Sequence, residues 1–271
     1  MAKIGNIGFI GVGKMGSALL EGVLRAGLAG PGETFISEVD QERRKAVCES
    51  SGVKAAGLLE LVENCQVIVL CVKPQVVVPV LREIRSSVGS GKLILSVAAG
   101  VTTATIEAEL GSGVPVVRSM PNIAATVGQS ATAVSAGSAA GGEHLELAGR
   151  IFGSVGLVVQ LPERLIDAVT GLSGSGPAYV FLFAEALVSG ALKVGLPHDE
   201  ARKLVVQTIK GASAMLEAQP DVHPAFLRDA VTTPGGTTVA ALHELEKRGF
   251  RDAVISAVEA AAKRSQELGK G

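Results

Sequence analysis

The chain has no tryptophan, one tyrosine and seven phenylalanines among its 271 residues. Aromatic stacking therefore cannot organise the interior, and a core must be built from aliphatic side chains. Cysteine is almost as scarce. Cys48, Cys65 and Cys71 are an odd number with no C-x-x-C spacing, so a disulfide framework and a thiolate metal site are both excluded as organising features. The formal net charge is −1, and no block of like charge occurs. That removes the electrostatic case for a nucleic-acid or anionic-membrane partner. Long hydrophobic runs are missing too. The uncharged stretch from Ala168 to Ala184 is broken by Gly171, Gly174, Gly176 and Pro177 and falls short of the ~20 residues that span a bilayer. The opening residues M-A-K-I-G-N-I-G hold no apolar secretion signal, so a cytoplasmic protein without a membrane segment is expected. No two of His144, His198, His223 and His243 have ligand spacing, and no metal is expected.

What is abundant is aliphatic and small. Hydrophobic residues make up 47% of the chain, charged residues 19%, and there are 34 glycines without a fixed period. Up to about residue 160, short β-like runs alternate with helical patterns. Asn6–Ile10, Thr34–Ser37, Gln66–Val72, Lys92–Val97, Val114–Arg118, Ser130–Val134 and Leu157–Leu161 read as strands. Ser17–Ala26, Gln41–Ser50, Pro79–Arg85 and Thr103–Leu110 read as helices. Q-V-I-V-L-C-V and K-L-I-L-S-V are nearly continuous apolar runs, as strands covered on both faces require. The alternation predicts an α/β fold, a Rossmann-type doubly wound parallel sheet, over residues 1–162. After Pro162 only helical periodicity remains, in Ala178–Val194, Asp199–Ala218, Thr238–Lys247 and Asp252–Leu268. Residues 163–271 are thus expected to form an all-helical domain. Its Ala178–Ala191 stretch is apolar on most faces, which a small helical domain hides most easily inside an oligomer.

The first chemical signal is Gly11-Val12-Gly13-Lys14-Met15-Gly16, a G-x-G-x-x-G between the first strand and the first helix. In that context Gly11 permits the tight turn, Gly13 lets backbone approach a pyrophosphate, and Gly16 lets helix and strand pack closely. The helix N-terminus adds free N–H groups and partial positive charge. A bound dinucleotide, and so a nicotinamide-dependent oxidoreductase, is the reading. At the second strand's end, Glu38 would suit the ribose hydroxyls of NAD, whereas Ser37, Arg43 and Arg44 suit a 2′-phosphate; the balance favours NADPH, with NADH also accepted. Further along, Val72-Lys73-Pro74 leaves a buried strand at the cofactor edge. Ala98-Ala99-Gly100 offers small residues on which a nicotinamide can lie, and Met120-Pro121-Asn122 closes the series.

Two segments of the helical half are more specific: Leu172-Ser173-Gly174-Ser175-Gly176-Pro177-Ala178-Tyr179 and Thr232-Thr233-Pro234-Gly235-Gly236-Thr237-Thr238. Together with V-K-P-Q, A-A-G, M-P-N and the glycine turn in the same order, they give a chain that resembles the Δ1-pyrroline-5-carboxylate reductases over essentially its whole length. The resemblance implies reduction of a cyclic imine to L-proline with NAD(P)H, the last step of proline biosynthesis. It implies a helical domain that forms an interlocked homodimer, in some members assembled further into rings. It also implies that Thr238 hydrogen-bonds the ring nitrogen as the catalytic residue. The segment Thr233, Gly235, Gly236 and Thr237 would hold the carboxylate, with Ser175 shaping the pocket. Leu58 stands where the family often has a ribose-contacting Asn, and Gln66 where it usually has Asp. Read from residue types alone, Thr237 or Thr238 could equally be an N-cap. A β-hydroxyacid dehydrogenase-like or other imine reductase, or a dinucleotide-binding regulator without turnover, remains open on the glycine turn by itself.

Overall fold

The computed structural model describes residues 3–269. Among them, eight strands form one sheet: β1 (Ile7–Ile10), β2 (Thr34–Ser37), β3 (Lys54–Ala55), β4 (Val67–Leu70), β5 (Leu93–Ser96), β6 (Val116–Met120), β7 (Ser130–Ala136) and β8 (Gly156–Gln160). Their order is β3-β2-β1-β4-β5-β6-β7-β8. The helices are α1 (Lys14–Arg25), α2 (Gln41–Ser51), α3 (Leu58–Asn64), α4 (Pro74–Ile84), α5 (Thr103–Leu110), α6 (Gly142–Gly153), α7 (Ile166–Val169), α8 (Gly176–Lys193), α9 (His198–Ala218), α10 (Pro224–Ala230), α11 (Thr237–Lys247) and α12 (Phe250–Leu268). The chain divides into two compact units. Described residues of Met1–Ser175 and Val258–Gly271 form the first, and Gly176–Ala257 the second.

In the first unit the apolar strands are buried on both faces because successive side chains alternate. Val67 and Val69 of β4 join a cluster with Phe9, Leu19, Val23 and Phe152, under α1 and α6. Ile68 and Leu70 join the opposite cluster with Leu61, Leu81, Ile94 and Ile106, under α3, α4 and α5. The sheet is not wholly parallel, as the sequence suggested. β6 and β7 pair antiparallel, Val117 opposite Ala136 and Met120 opposite Ala133. The cause is the connection: a short 3₁₀ turn, Ile123–Val127, closed by Gly128 at φ 71°. A parallel return needs a crossover of a dozen or more residues. α6 supplies one between β7 and β8, and that pair is parallel again.

Several elements escape periodicity. α6 carries three glycines and a low propensity, yet forms because Ala148, Ile151 and Phe152 are buried. α3 and α10 are each only seven residues, and β3 only two. α4 begins at Pro74, not near Pro79. Pro74 sits at N1, where no N–H is needed, and the helix tolerates Pro79 within it.

The expectation of no membrane-length helix also needs correction. Glu163–Lys193 runs through 3₁₀, α and π turns, a bend at Ser175 and then α8, and by length and composition it could cross a membrane. The interrupting glycines do not stop the chain. A five-residue π turn, Thr170–Gly174, leads into α8, and Pro177 falls in the first turn of α8. Within the chain, no residue of α8 is buried. Phe181 and Leu182 are 66% and 68% exposed.

Candidate active site

The parallel register sets the first half of the site. Ile10 lies opposite Ser37 and Leu70, and Leu70 opposite Ser96. The carboxyl ends of β2, β1, β4 and β5 are therefore level, and the loops leaving them share one edge. Strand order reverses between β1 and β4, where open α/β sheets have their ligand crevice. That edge gathers Gly11, Gly13, Lys14, Met15, Gly16, Ser37, Val72, Lys73, Pro74, Ala98, Ala99 and Gly100.

The three glycines of the turn differ in the way their roles require. Gly11 has φ 89°, and its N–H donates to the Ser37 carbonyl at 2.8 Å. A Cβ on Gly16 would collide with the Gly11 carbonyl oxygen and lie 3.2 Å from Cys71. A Cβ on Gly13 would meet nothing within 4 Å. The turn is thus closed behind Gly11 and Gly16 and open in front of Gly13. Gly13 is also the N-cap of α1 and brings no side-chain cap. The first-turn amides of α1 are left without intrahelical acceptors, as a pyrophosphate site needs. The residues present fit a dinucleotide.

Lys73 is extended and exposed at the N-cap of α4, and Pro74 follows at N1. Gly100, with φ 76°, is buried against the end of α12. A Cβ there would stand 3.1 Å from the Gly269 nitrogen, so the A-A-G loop is backed by the last described residues of the chain. The Asn122 side chain is engaged by the protein. Oδ1 accepts from the Ala124 N–H at 3.1 Å, and Nδ2 donates to the Ser173 carbonyl at 3.0 Å. Asn122 thereby ties the M-P-N segment to the π turn that precedes Ser175. Leu58 starts α3 and packs on the second core cluster; Gln66 accepts from the Asn6 N–H at 3.2 Å just before β4.

Sequence reasoning missed one buried network beside this edge. The Arg118 side chain, 3% exposed, pairs with Glu163 at 3.3 Å and Asp167 at 3.2 Å. Thr103 donates to Glu163 through its N–H at 2.7 Å and its hydroxyl at 2.6 Å. The Ser265 hydroxyl donates to Asp167 at 2.8 Å. The network joins β6, the start of α5, the segment ahead of Ser175 and α12. Its one signal in sequence was a lone Arg in the apolar V-V-R-S-M strand.

Ser175 is half-buried and lies in the right-handed helical region at the end of the π turn, directly ahead of α8. In the second unit, Gly235 has φ 70° and turns the chain into α11. The N-cap of α11 is Gly236, without a side-chain cap. Thr237 and Thr238 follow as the first two helical residues, so neither is the cap. Thr238 is half-buried; Thr233 and Thr237 are exposed. Among the described residues, the Thr238 hydroxyl has no hydrogen-bond partner. Burial pushes the Cys71 thiol up to about 12, and also that of Cys65 despite the opposing charge of Lys92, so neither supplies a thiolate near neutral pH. Lys193, Lys203 and Lys210 are all exposed on the solvated faces of α8 and α9.

Comparison with known proteins agrees over the whole length. A family model described as pyrroline-5-carboxylate reductase dimerisation matches residues 163–268, and one described as NADP oxidoreductase, coenzyme F420-dependent, matches residues 6–100. The pyrroline-5-carboxylate reductase of Methanosarcina acetivorans is 44% identical, covering 98% of this chain and 98% of its own. That of Arabidopsis thaliana is 42% identical over 97% and 95%. The structure of the Coxiella burnetii enzyme superposes with a TM-score of 0.92 at 35% identity, covering 98% of this chain and 99% of that one. The Plasmodium falciparum pyrroline carboxylate reductase, crystallised with NADP bound, gives 0.89 at 32% over 99% and 100%. On this full-length similarity, and with both family models in sequence order, the chain belongs to the pyrroline-5-carboxylate reductase family.

Proposed function

We propose that this protein reduces 1-pyrroline-5-carboxylate to L-proline with NADPH, NADH also being accepted, as the last step of proline biosynthesis. The observation that carries the reading is the start of α11, where a glycine takes the capping position and, among the described residues, the Thr238 hydroxyl and the first-turn amides have no partner. The reaction adds one hydride to the imine carbon and one proton to the ring nitrogen. A nicotinamide cofactor supplies the hydride when bound. The amides of Gly235 and Thr237, on a loop that Gly236 closes by donating its N–H to the Thr233 carbonyl at 3.0 Å, hold the substrate carboxylate without a cationic side chain. Thr238 hydrogen-bonds the ring nitrogen, and Ser175 shapes the wall of the pocket. On the cofactor side, Gly11 makes the turn, and Gly13, Lys14, Met15 and Gly16 receive the pyrophosphate. Ser37 with Arg43 and Arg44 meets the 2′-phosphate. Val72, Lys73 and Pro74 border the dinucleotide, Ala98, Ala99 and Gly100 seat the nicotinamide, and Asn122 braces that edge.

Functionally, residues 1–162 are the dinucleotide-binding domain and 163–271 the substrate-binding and dimerisation domain. The working protein is a cytoplasmic homodimer, with a ring of dimers as a further assembly, and needs neither nucleic acid nor membrane. Support for the dimer comes from the exposed apolar face of α8 and the dimerisation model over the same residues. The test is formation of proline from pyrroline-5-carboxylate, run separately with NADPH and NADH. Nicotinamide oxidation with proline appearing in equal amount is the expected result; oxidation without proline, or none with either cofactor, overturns it.

A further inference from the structure

Glu38 directly follows β2, where a Rossmann-type sheet places the acid that reads the adenine ribose. A free carboxylate there accepts the ribose hydroxyls and repels a 2′-phosphate. In this chain the carboxylate is turned inward, its side chain only 6% exposed. Oε2 accepts from the Val12 N–H at 2.9 Å and Oε1 from the Asp40 N–H at 3.0 Å. Arg43 bridges the same group: Nη1 is 3.4 Å from Glu38 Oε2 and Nη2 is 3.1 Å from Asp40 Oδ2. Val12 lies between the two glycines of the turn. Two glycines flanking one residue leave that loop no side-chain anchors of its own. Its amides are fastened from β2 instead, Gly11 by the Ser37 carbonyl and Val12 by Glu38. Unengaged amides then begin at Gly13, on the open side of the turn.

We propose that Glu38 is a positioning residue for the dinucleotide turn and not its ribose-reading acid, and that Arg43, by matching its charge, keeps the adenosine end of the site open to a 2′-phosphate. The proposal rests on the cofactor reading above. Its chemistry is consistent with the carboxylate's ionisation. Burial would raise the Glu38 carboxyl, but the Asp40 and Val12 amides and Arg43 outweigh burial and hold it below the ordinary carboxylate range. A residue that pins the turn affects both cofactors alike, whereas one that reads the ribose discriminates between them.

The experiment measures Kd for NADPH and for NADH by nicotinamide fluorescence, with steady-state kinetics and the Val12 amide proton shift, on three variants. Glu38→Gln sets an NH₂ donor against one of the two backbone donors. Both Kd values should rise about tenfold together, with kcat at saturating cofactor within about twofold of the parent protein and the Val12 amide resonance moved upfield. Glu38→Asp keeps the charge but is too short to span both amides, and should weaken both cofactors in the same ratio; it carries the comparison if the Gln variant does not fold. Arg43→Met leaves the carboxylate unmatched and should weaken NADPH about tenfold with NADH little changed. Selective loss of NADH in Glu38→Gln, or unchanged affinity for both, overturns the proposal. A parent protein that binds neither nucleotide overturns the cofactor reading instead.

Discussion

β4 and α8 are both nearly continuous apolar segments, V-I-V-L and G-P-A-Y-V-F-L-F-A-E-A-L-V, yet the chain treats them oppositely. All four residues of β4 are buried, because helices of the same unit cover both faces of the sheet. No residue of α8 is buried. In Gly176–Ala257 only Ala201 and Val205 are buried among the described residues, while Phe181, Leu182, Leu204 and Phe226 are each more than half exposed. The difference teaches that an apolar run encodes a demand for cover, not its source. In the first unit the cover is the chain itself. In the second the cover is absent from the described residues, and the match to a dimerisation model over residues 163–268 points to oligomerisation as its source, since exposed apolar areas of this extent are rare on monomers.

The comparison is broken most severely by putting the same charge into both segments. Val69→Asp places an unpaired carboxylate inside the core cluster under α1 and α6. Its desolvation is comparable with the whole stability of a domain, ~5–15 kcal/mol, so no soluble folded protein is expected. Leu182→Asp in α8 meets a different fate. Sedimentation velocity should show a monomer that keeps the helix and sheet circular dichroism of the first unit, and proline formation should fall by at least about 100-fold. A Leu182→Asp protein that sediments as a dimer with normal turnover would remove α8 from the interface.

How much of this contrast is legible in the sequence depends on whether a feature is local. The glycine turn, the strands at Val67–Leu70 and Leu93–Ser96, and the α11 entry are written within a few residues each, and all lie where periodicity and motif put them. Strand direction is less legible, because it resides in the length of a connection. S-A-T-A-V-S-A reads as a strand either way, and only the short 3₁₀ turn before it makes β7 antiparallel. α6 was hidden by Gly142, Gly149 and Gly153, whose low helix propensity is overcome by burying Phe152. Partnerships over long separations are illegible. Nothing near Arg118 announces Glu163 and Asp167, and Glu38 looks like a ribose acid until the pairing of Ser37 with Ile10 brings Val12 above it.

A smaller perturbation sharpens the same contrast. Phe152 and Phe181 have the same side chain, one fully buried and the other 66% exposed within the chain. Phe152→Ala should cost roughly 3–5 kcal/mol from lost burial and the cavity left behind. Its unfolding midpoint in urea should not depend on protein concentration, since every partner in its cluster is intramolecular. Phe181→Ala should lower the midpoint in a way that recovers as concentration rises, because mass action opposes dissociation. Equal concentration dependence in the two variants would mean that α8 finds its cover elsewhere.

The smallest effects belong to two threonines at helix entries. Thr102 is the N-cap of α5, and its side chain accepts from the Thr105 N–H at 3.1 Å. Thr238 is the second residue of α11, whose cap is Gly236. If an entry threonine matters only through capping, Thr102→Ala should lose ~1 kcal/mol of stability and Thr238→Ala almost none. In activity the order reverses. On the proposed role, Thr238→Ala removes one hydrogen bond at the reacting nitrogen, worth roughly 1.5–3 kcal/mol to a charged group, so kcat/KM should fall about tenfold to a few hundredfold. Turnover should persist, because the proposed carboxylate anchor at the α11 entry is untouched, and Thr238→Ser should recover much of the loss. Thr102→Ala should leave kcat/KM within about twofold. Thermal unfolding and steady-state kinetics on these variants separate the two roles, and a Thr238→Ala protein that is destabilised with near-normal kcat/KM would return Thr238 to a structural part.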